Sequence, residues 1–269
     1  MPRPQRQPAR ALAALALTSV LSLPAGCGLP GLTATSPGAR PHASTTIDGS
    51  DPGATTSGAS TTGTTSSTLT STALTTPAQA RAALAQLDRL PVKGRAPKTG
   101  YARTRFGAAW TDDVDVAGGH NGCDTRNDVL RRDLTAQRPK PGTHGCVVLA
   151  GRLADPYTGR VIAFERGAST SSRVQIDHVV ALGDAWVKGA QQLTPAQRTA
   201  LANDPLNLLA VDGPTNNAKR DSDAASWLPP NRAFRCTYVA RQVAVKARYH
   251  LWVTAAEKSQ VARQLESCR

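Results

Sequence analysis

Two short apolar runs, each followed by polar residues, stand out in the pattern of the chain. The first run spans residues 174–182 and is interrupted by the pair Asp177 and His178, and the second begins at residue 207. Short runs of branched and aliphatic residues predict strands. A Gly-Pro turn and an Asn-rich segment at 213–219 predict the start of a helix. The order is therefore strand, insertion, strand and helix, with polar residues at the junctions.

The chain around this stretch combines helical and strand patterns from residue 77 onward. Thr76, Thr194 and Thr254 each stand three residues before Gln or Glu, which is the spacing of a helix-capping box. Residues 232–249 have apolar positions at helical spacing. Residues 147–164 contain two apolar runs around a turn with Pro and Gly, the pattern of a hairpin. Together these elements predict an α+β fold.

The first 76 residues have a different composition. Residues 1–27 combine a basic start with one apolar stretch, typical of an export signal and shorter than the roughly 20 apolar residues of a membrane span. Residues 28–76 are rich in Thr, Ser and Gly without apolar periodicity, so we expect a disordered linker. The folded domain is therefore predicted to occupy residues 77–269.

The export signal ends in Leu-Pro-Ala-Gly-Cys at residues 23–27, which resembles a bacterial lipobox. In that motif the cysteine is lipidated and becomes the new N-terminus. Pro24 departs from the motif, which prefers Leu at this position, and ordinary signal cleavage nearby is the alternative. We therefore expect Cys27 to anchor the exported protein to the outer face of the cell membrane, with a secreted form as the alternative.

Four further cysteines lie in the predicted folded domain. Four cysteines in an exported domain predict two disulfides among three possible pairings. We favour the nearest-neighbour pairs, Cys123 with Cys146 and Cys236 with Cys268. A zinc site is the weaker alternative, because no Cys-x-x-Cys spacing occurs.

The net charge of the chain is +13 at neutral pH. A large positive net charge favours an anionic partner, such as nucleic acid, a phosphate-rich wall polymer or a membrane surface. A genome that uses Arg freely produces the same excess, so charge alone does not decide the function. Arg241, Lys246 and Arg248, in the C-terminal helical part, either extend such a contact surface or are solvated.

The run Asp177-His178-Val-Val-Ala-Leu, with Asn207-Leu-Leu-Ala-Val and Asn216-x-x-Lys219, resembles the HNH or ββα-metal nuclease superfamily. Within it, the chain looks like secreted actinobacterial HNH-family proteins related to the C-terminal domain of GmrSD-type restriction enzymes. Runs at 121–128, 155–159 and 227–230 fit the same group. The resemblance covers roughly residues 80–268 and implies a ββα-metal core with additional helices. Asn216 stands where the HNH pattern has its last His, as in many active members.

Phosphodiester hydrolysis needs an activated water and a neutralised phosphate. By the resemblance, His178 is the general base, Asp177 and Asn216 are the metal ligands, and Asn207 is the middle Asn, which would brace the loop carrying His178. Lys219 shares a helix face with Asn216, so we expect it to assist catalysis and to contact the phosphate. Oxygen ligands favour Mg²⁺, with Mn²⁺ as the alternative.

Other residues near these motifs are further candidates for the site. Arg126 and Arg173 are candidate phosphate contacts, because a guanidinium presents a planar fork to phosphate oxygens. For both, an ion pair or a solvated position is the alternative. Asn217 competes with Asn216 as the metal ligand, since a slip of one residue is possible on a short helix.

The sequence therefore predicts an exported, metal-dependent endonuclease that hydrolyses DNA, or RNA, with low sequence specificity. Its expected partners are nucleic acid and, through the lipid anchor, a membrane. Two alternatives stay open. One is a non-catalytic cell-surface binding protein on an HNH scaffold, and the other is a hydrolase of a different phosphodiester polymer.

Overall fold

The computed structural model describes residues 75–268. The export signal, Cys27 and nearly all of the expected linker lie outside the described residues. Within 75–268, no helix is long and apolar enough to cross a membrane. The helices are α1 (Pro77–Arg89), α2 (Thr125–Asp133), α3 (Leu182–Trp186), α4 (Pro195–Asn203), α5 (Gly213–Lys219), α6 (Arg235–Arg248) and α7 (Ala255–Glu266). The strands are β1 (Leu134–Pro139), β2 (Val148–Ala154), β3 (Val161–Glu165), β4 (Val174–His178) and β5 (Leu208–Asp212).

The described strands form two separate antiparallel sheets, so the fold is α+β as expected. One sheet has the order β1-β2-β3, in which β2 and β3 are the predicted hairpin and β1 was not predicted. The other sheet pairs β4 with β5, and His178 lies opposite Leu208. Helix α5 begins directly after β5, with Asp212 as its N-cap. The chain from 174 to 219 thus follows the predicted order of strand, insertion, strand and helix.

Local capping signals set several helix starts. Thr76, Thr194 and Thr254 each form a complete capping box, in which the Thr side chain accepts from a backbone N–H and the following Gln or Glu accepts in return. The predicted helix at 232–249 begins as a 3-10 turn at Arg232–Phe234 and continues as α6. The short helices α3 and α4 lie in the insertion between β4 and β5.

The core between α1, α6 and α7 is the largest of the described apolar clusters, and it extends beneath β5. The structure pairs Cys236 with Cys268, which joins α6 to the segment after α7, and Cys123 with Cys146, which joins the start of α2 to the start of β2. This is the nearest-neighbour pairing that the sequence favours. The first pair ties the C-terminal helices together, and the second holds the start of α2 against β2.

A network of buried charges connects the insertion to the C-terminal helices. The ammonium of Lys188 lies 2.8 Å from a carboxylate oxygen of Asp184, 2.6 Å from Asp223 and 2.7 Å from Glu257. The ammonium of Lys246 lies 2.7 Å from the other oxygen of Glu257. These side chains are almost completely buried. The half-exposed Arg95 guanidinium lies 3.7 Å from both Asp184 and Asp223. Three cations thus face three carboxylates, and the cost of burying each charge is offset by its partners.

Two of the three basic residues expected on the C-terminal surface are buried instead. Lys246 belongs to the network just described, and Arg241 is only 7% exposed. The Arg241 guanidinium donates to the backbone carbonyls of Pro205, Leu206 and Leu208. Both side chains stabilise the fold, so neither one extends a contact surface. Arg248 is about half exposed and pairs with Asp204 at 3.1 Å.

Candidate functional site

A polar cavity of about 490 Å³ lies beside the end of β4 and the helix α5. We call it the polar cavity. It brings together residues from four segments of the chain, at 103–110, 126, 175–182 and 216–221. The lining residues used below are Arg103, Arg126, Asp177, His178, Asn216 and Arg220.

His178 ends β4 and is 7% exposed. Its Nε2 lies 2.9 Å from the carbonyl oxygen of Ala202. A carbonyl only accepts hydrogen bonds, so Nε2 carries the proton and Nδ1 keeps a lone pair. Burial, and then the charge of Arg103, lower the pKa of His178 to about 3. The imidazole is therefore neutral at physiological pH, with a lone pair at Nδ1, and its low pKa makes it a weaker base than a free imidazole.

The backbone that follows His178 is held by two buried amide side chains. The side-chain Oδ1 of Asn207 accepts a hydrogen bond from the backbone N–H of Val180 at 2.8 Å. The backbone carbonyl of Asn207 accepts one from the N–H of Val179, also at 2.8 Å. The Gln242 amide donates to the carbonyl of Val179 at 3.0 Å. The sequence did not reveal that Gln242 supports this backbone. The available signal was a polar residue within the otherwise apolar stripe of α6.

Asp177 and Lys219 form a buried ion pair between β4 and α5. The Lys219 ammonium lies 2.9 Å from Asp177 Oδ1 and 2.6 Å from the carbonyl oxygen of His178. The Tyr157 hydroxyl donates to Asp177 Oδ2. Lys219 has no exposed surface. In this arrangement its ammonium contacts Asp177 and the backbone at His178, and Lys219 is not among the residues that line the polar cavity.

The oxygen atoms at the polar cavity suit a hard divalent cation. The Asn216 amide nitrogen donates to Gln175 Oε1 at 2.9 Å, which leaves the Asn216 Oδ1 as an acceptor. Each Asp177 oxygen keeps a lone pair beyond the hydrogen bond that it accepts from Lys219 or Tyr157. Asn217 lines the same cavity and is more exposed than Asn216. A carboxylate, an amide oxygen and waters are an acceptable ligand set for Mg²⁺.

Clusters of the usual metal-binding side chains do not occur within residues 75–268, and the polar cavity is no exception. No group of three or more His, Cys, Asp or Glu residues in that range could hold a metal ion. A cation at the polar cavity would therefore depend on few protein ligands and several waters, which is the manner in which Mg²⁺ is commonly bound.

Three arginines line the polar cavity. Arg103 and Arg220 are exposed, whereas Arg126 is half-buried and its guanidinium lies 3.4 Å from the carbonyl oxygen of Val174. Burial, and then the neighbouring charge of Arg166, lower the pKa of Arg126. An anion in the cavity would offset that electrostatic cost. Arg126 was predicted from the sequence, whereas Arg103 and Arg220 were not singled out.

Arg173, the other predicted phosphate contact, lies elsewhere. It is exposed and lines a separate cavity with Arg160 and Asp212. Arg173 precedes β4, whereas His178 ends it, so the length of the strand separates them. The structure therefore does not bring Arg173 to the polar cavity.

A second cavity of about 320 Å³ adjoins the polar cavity. We call it the apolar cavity, and its walls include Phe106, Ala109, Trp110 and Leu182. The Trp110 ring stacks on the imidazole of His178, with centroids 5.9 Å apart and planes inclined by 16°. Trp110 and His178 line both cavities. Trp110 was not assigned to the site from the sequence, and no local signal connects it with His178.

Comparisons with known proteins show which family the chain resembles. Residues 124–264, more than half of the chain, match the family described as GmrSD restriction endonucleases, C-terminal domain. A protein of the fungus Arthroderma benhamiae, named "Uncharacterized secreted protein", is 37% identical over 191 residues, which cover 70% of this chain and 86% of that protein. No solved structure matches the chain. By the extent of these matches, the chain belongs to the family of GmrSD restriction endonuclease C-terminal domains.

Proposed function

We propose that this protein is an exported, metal-dependent endonuclease of the HNH type that hydrolyses phosphodiester bonds in DNA or RNA. One observation carries the proposal. A neutral His178 lies beside the oxygen ligands Asp177 and Asn216, in a cavity that is also lined by three arginines. Membership in a family described as restriction endonucleases supports nuclease activity in general.

The chemistry follows from the state of each side chain. His178 accepts the proton of the attacking water at Nδ1, while its Nε2–H bond to Ala202 holds the ring in place. Arg103, Arg126 and Arg220 bind phosphate oxygens through charge-assisted hydrogen bonds. The arginines thereby orient the substrate and neutralise its charge.

A divalent cation completes the proposed site. Asp177 and Asn216 would hold Mg²⁺ or Mn²⁺, which when bound supplies Lewis-acid stabilisation of the phosphate and the leaving oxygen. Lys219 acts as a positioning residue, because its ammonium fixes Asp177 and the His178 carbonyl. Asn207 positions His178 through the backbone of Val179 and Val180.

The proposed substrate and location rest on charge and on the N-terminal sequence. The net charge of +13 favours salt-dependent binding of nucleic acid with low sequence specificity. The signal-like segment 1–27, with lipidation at Cys27, would place the protein outside the cell. The related fungal protein is described as secreted, which agrees with export.

The direct test uses the purified protein with supercoiled plasmid, linear duplex and single-stranded oligonucleotides. Each substrate is incubated with Mg²⁺, with Mn²⁺ and with a chelator. We expect cleavage with either metal and none with the chelator. Binding of nucleic acid without cleavage under every metal condition would contradict the proposal and favour a non-catalytic binding protein.

A further inference from the structure

The apolar cavity has no role in the chemistry derived above, yet it lies directly beside the proposed base. Its walls are mostly carbon, with the ring of Trp110 at the boundary with the polar cavity. Its volume of about 320 Å³ is near the lower end of the range for small-molecule sites. The cavity is therefore large enough for one small ring system.

The two cavities adjoin each other and share four lining residues. Arg103, Trp110, His178 and Leu182 line both. A nucleotide combines an anionic phosphate with a flat, largely apolar base at a short distance. With its phosphate among the arginines of the polar cavity, the adjoining base would meet the apolar cavity next to Trp110.

Trp110 is held firmly in its position. Its backbone has a φ of +60°, which is uncommon for a bulky residue and persists only where the surroundings impose it. The N–H of Thr125, the first residue of α2, donates to the Trp110 carbonyl at 3.2 Å, and the Thr125 hydroxyl donates to the carbonyl of Thr111 at 2.8 Å. These contacts hold the backbone at Trp110, and the indole stacks on His178 and lines the apolar cavity.

We propose that the apolar cavity receives an unpaired nucleobase next to the scissile phosphate, so the enzyme prefers single-stranded nucleic acid. This inference rests on the proposed nuclease function. In a duplex the bases are paired and stacked, and a base must be flipped out before it can enter such a pocket. In a single strand the bases are free to stack on an aromatic side chain.

The first arm of the test uses the unaltered protein and three matched oligonucleotides. They are a single strand, its duplex and a set of single strands with one abasic position each. Base–aromatic stacking corresponds to roughly 5- to 150-fold in affinity. We expect kcat/KM to be about tenfold or more higher for the single strand than for the duplex. One abasic position beside the cleaved bond should lower kcat/KM by a similar factor.

The second arm fills the cavity. Ala109 is exposed and lines the apolar cavity, so Ala109→Leu should occupy space needed by the base. The control is Ala163→Leu, at an exposed alanine of β3 outside both cavities. Ala109→Leu should raise KM for the single strand and remove the abasic effect. Ala163→Leu should leave both unchanged.

A binding measurement without metal completes the test. Tryptophan fluorescence should be quenched by a single-stranded oligonucleotide in the presence of a chelator, and Trp110→Phe should remove that quenching. Equal cleavage of single and double strands, with no abasic effect, would overturn this inference and leave the nuclease function intact. Absence of cleavage on every substrate with either metal would overturn both.

Discussion

The ammonium of Lys219 has no exposed surface and lies between the carboxylate of Asp177 and the carbonyl of His178. Lys219→Met keeps the length of the side chain and removes its charge, which leaves Asp177 buried without its ion-pair partner. We expect the free energy of unfolding to fall by about 3 kcal/mol or more. Urea denaturation followed by circular dichroism measures this change.

Lys140→Met is the control for Lys219→Met, because Lys140 is exposed. It should change the free energy of unfolding by less than about 0.5 kcal/mol. If the two variants were equally stable, the Asp177–Lys219 pair would not contribute to the fold.

Substitution of Asn216 and of Asn217 distinguishes between two candidate positions of the proposed metal ligand on α5. Removal of supporting groups around a metal typically costs about 10- to 100-fold in metal affinity, and loss of a ligand should cost at least as much. Asn216→Ala should therefore raise the Mg²⁺ concentration for half-maximal cleavage by tenfold or more. Asn217→Ala should have a small effect. The opposite order would place the ligand one residue further along the helix.

Distance along a strand explains why Arg173 does not line the polar cavity, and packing of distant segments explains why Arg103 was missed. Arg173 and His178 are at opposite ends of β4, and a strand rises about 3.3 Å per residue. Closeness in sequence therefore does not bring Arg173 to the cavity. Arg103 reaches the polar cavity from a 3-10 turn far away in the chain, through packing that no local pattern reports.

At the level of elements, Asn207 connects the start of β5 to the backbone after His178. Asn207→Ala removes the acceptor of the Val180 N–H, and a buried backbone donor left unpaired costs about 1–3 kcal/mol. The loop that carries the base should also loosen. We expect both a lower melting temperature and a lower kcat, measured by thermal denaturation and by initial cleavage rates.

Thr194→Ala separates stability from positioning of the loop. Thr194 caps α4, and loss of such a cap typically costs about 1 kcal/mol. The melting temperature should fall, whereas kcat should stay near that of the parent. If Asn207→Ala kept its full kcat as well, Asn207 would act on stability alone.

Elements with local signals could be predicted from the sequence, and elements that depend on distant partners could not. The capping boxes at Thr76, Thr194 and Thr254 are complete within four residues each. Strands β4 and β5 are short apolar runs with polar ends. Strand β1 contains Gln, Arg and Pro and is mostly exposed. Its strand conformation comes from pairing with β2, which the residues of β1 do not indicate.

At the scale of the whole molecule, the network around Lys188 makes stability depend on pH. Burial alone would raise the pKa of Asp223, but the hydrogen bond and charge of Lys188 outweigh it and hold the pKa below its usual value. As the pH falls, the unfolded chain therefore binds this proton before the folded one does. The stabilisation is fully present above about pH 4 and is lost as the pH falls through the folded pKa.

The melting temperature should accordingly decrease as the pH falls from about 4 to about 3, measured by differential scanning calorimetry at constant ionic strength. Asp223→Asn should be less stable at pH 7 and should show a smaller decrease over the same interval. A parent whose melting temperature stayed constant down to pH 3 would show that this network does not couple stability to pH.

The most direct measurement of the central claim compares cleavage rates of the parent, His178→Ala and His144→Ala in Mg²⁺. His144 is exposed and lies outside both cavities, so its variant should cleave at the parental rate. Loss of a general base typically lowers the rate by about 10²–10⁴-fold, and His178→Ala should fall by this factor while it still binds oligonucleotide. Cleavage by His178→Ala at the parental rate would contradict the proposed nuclease mechanism.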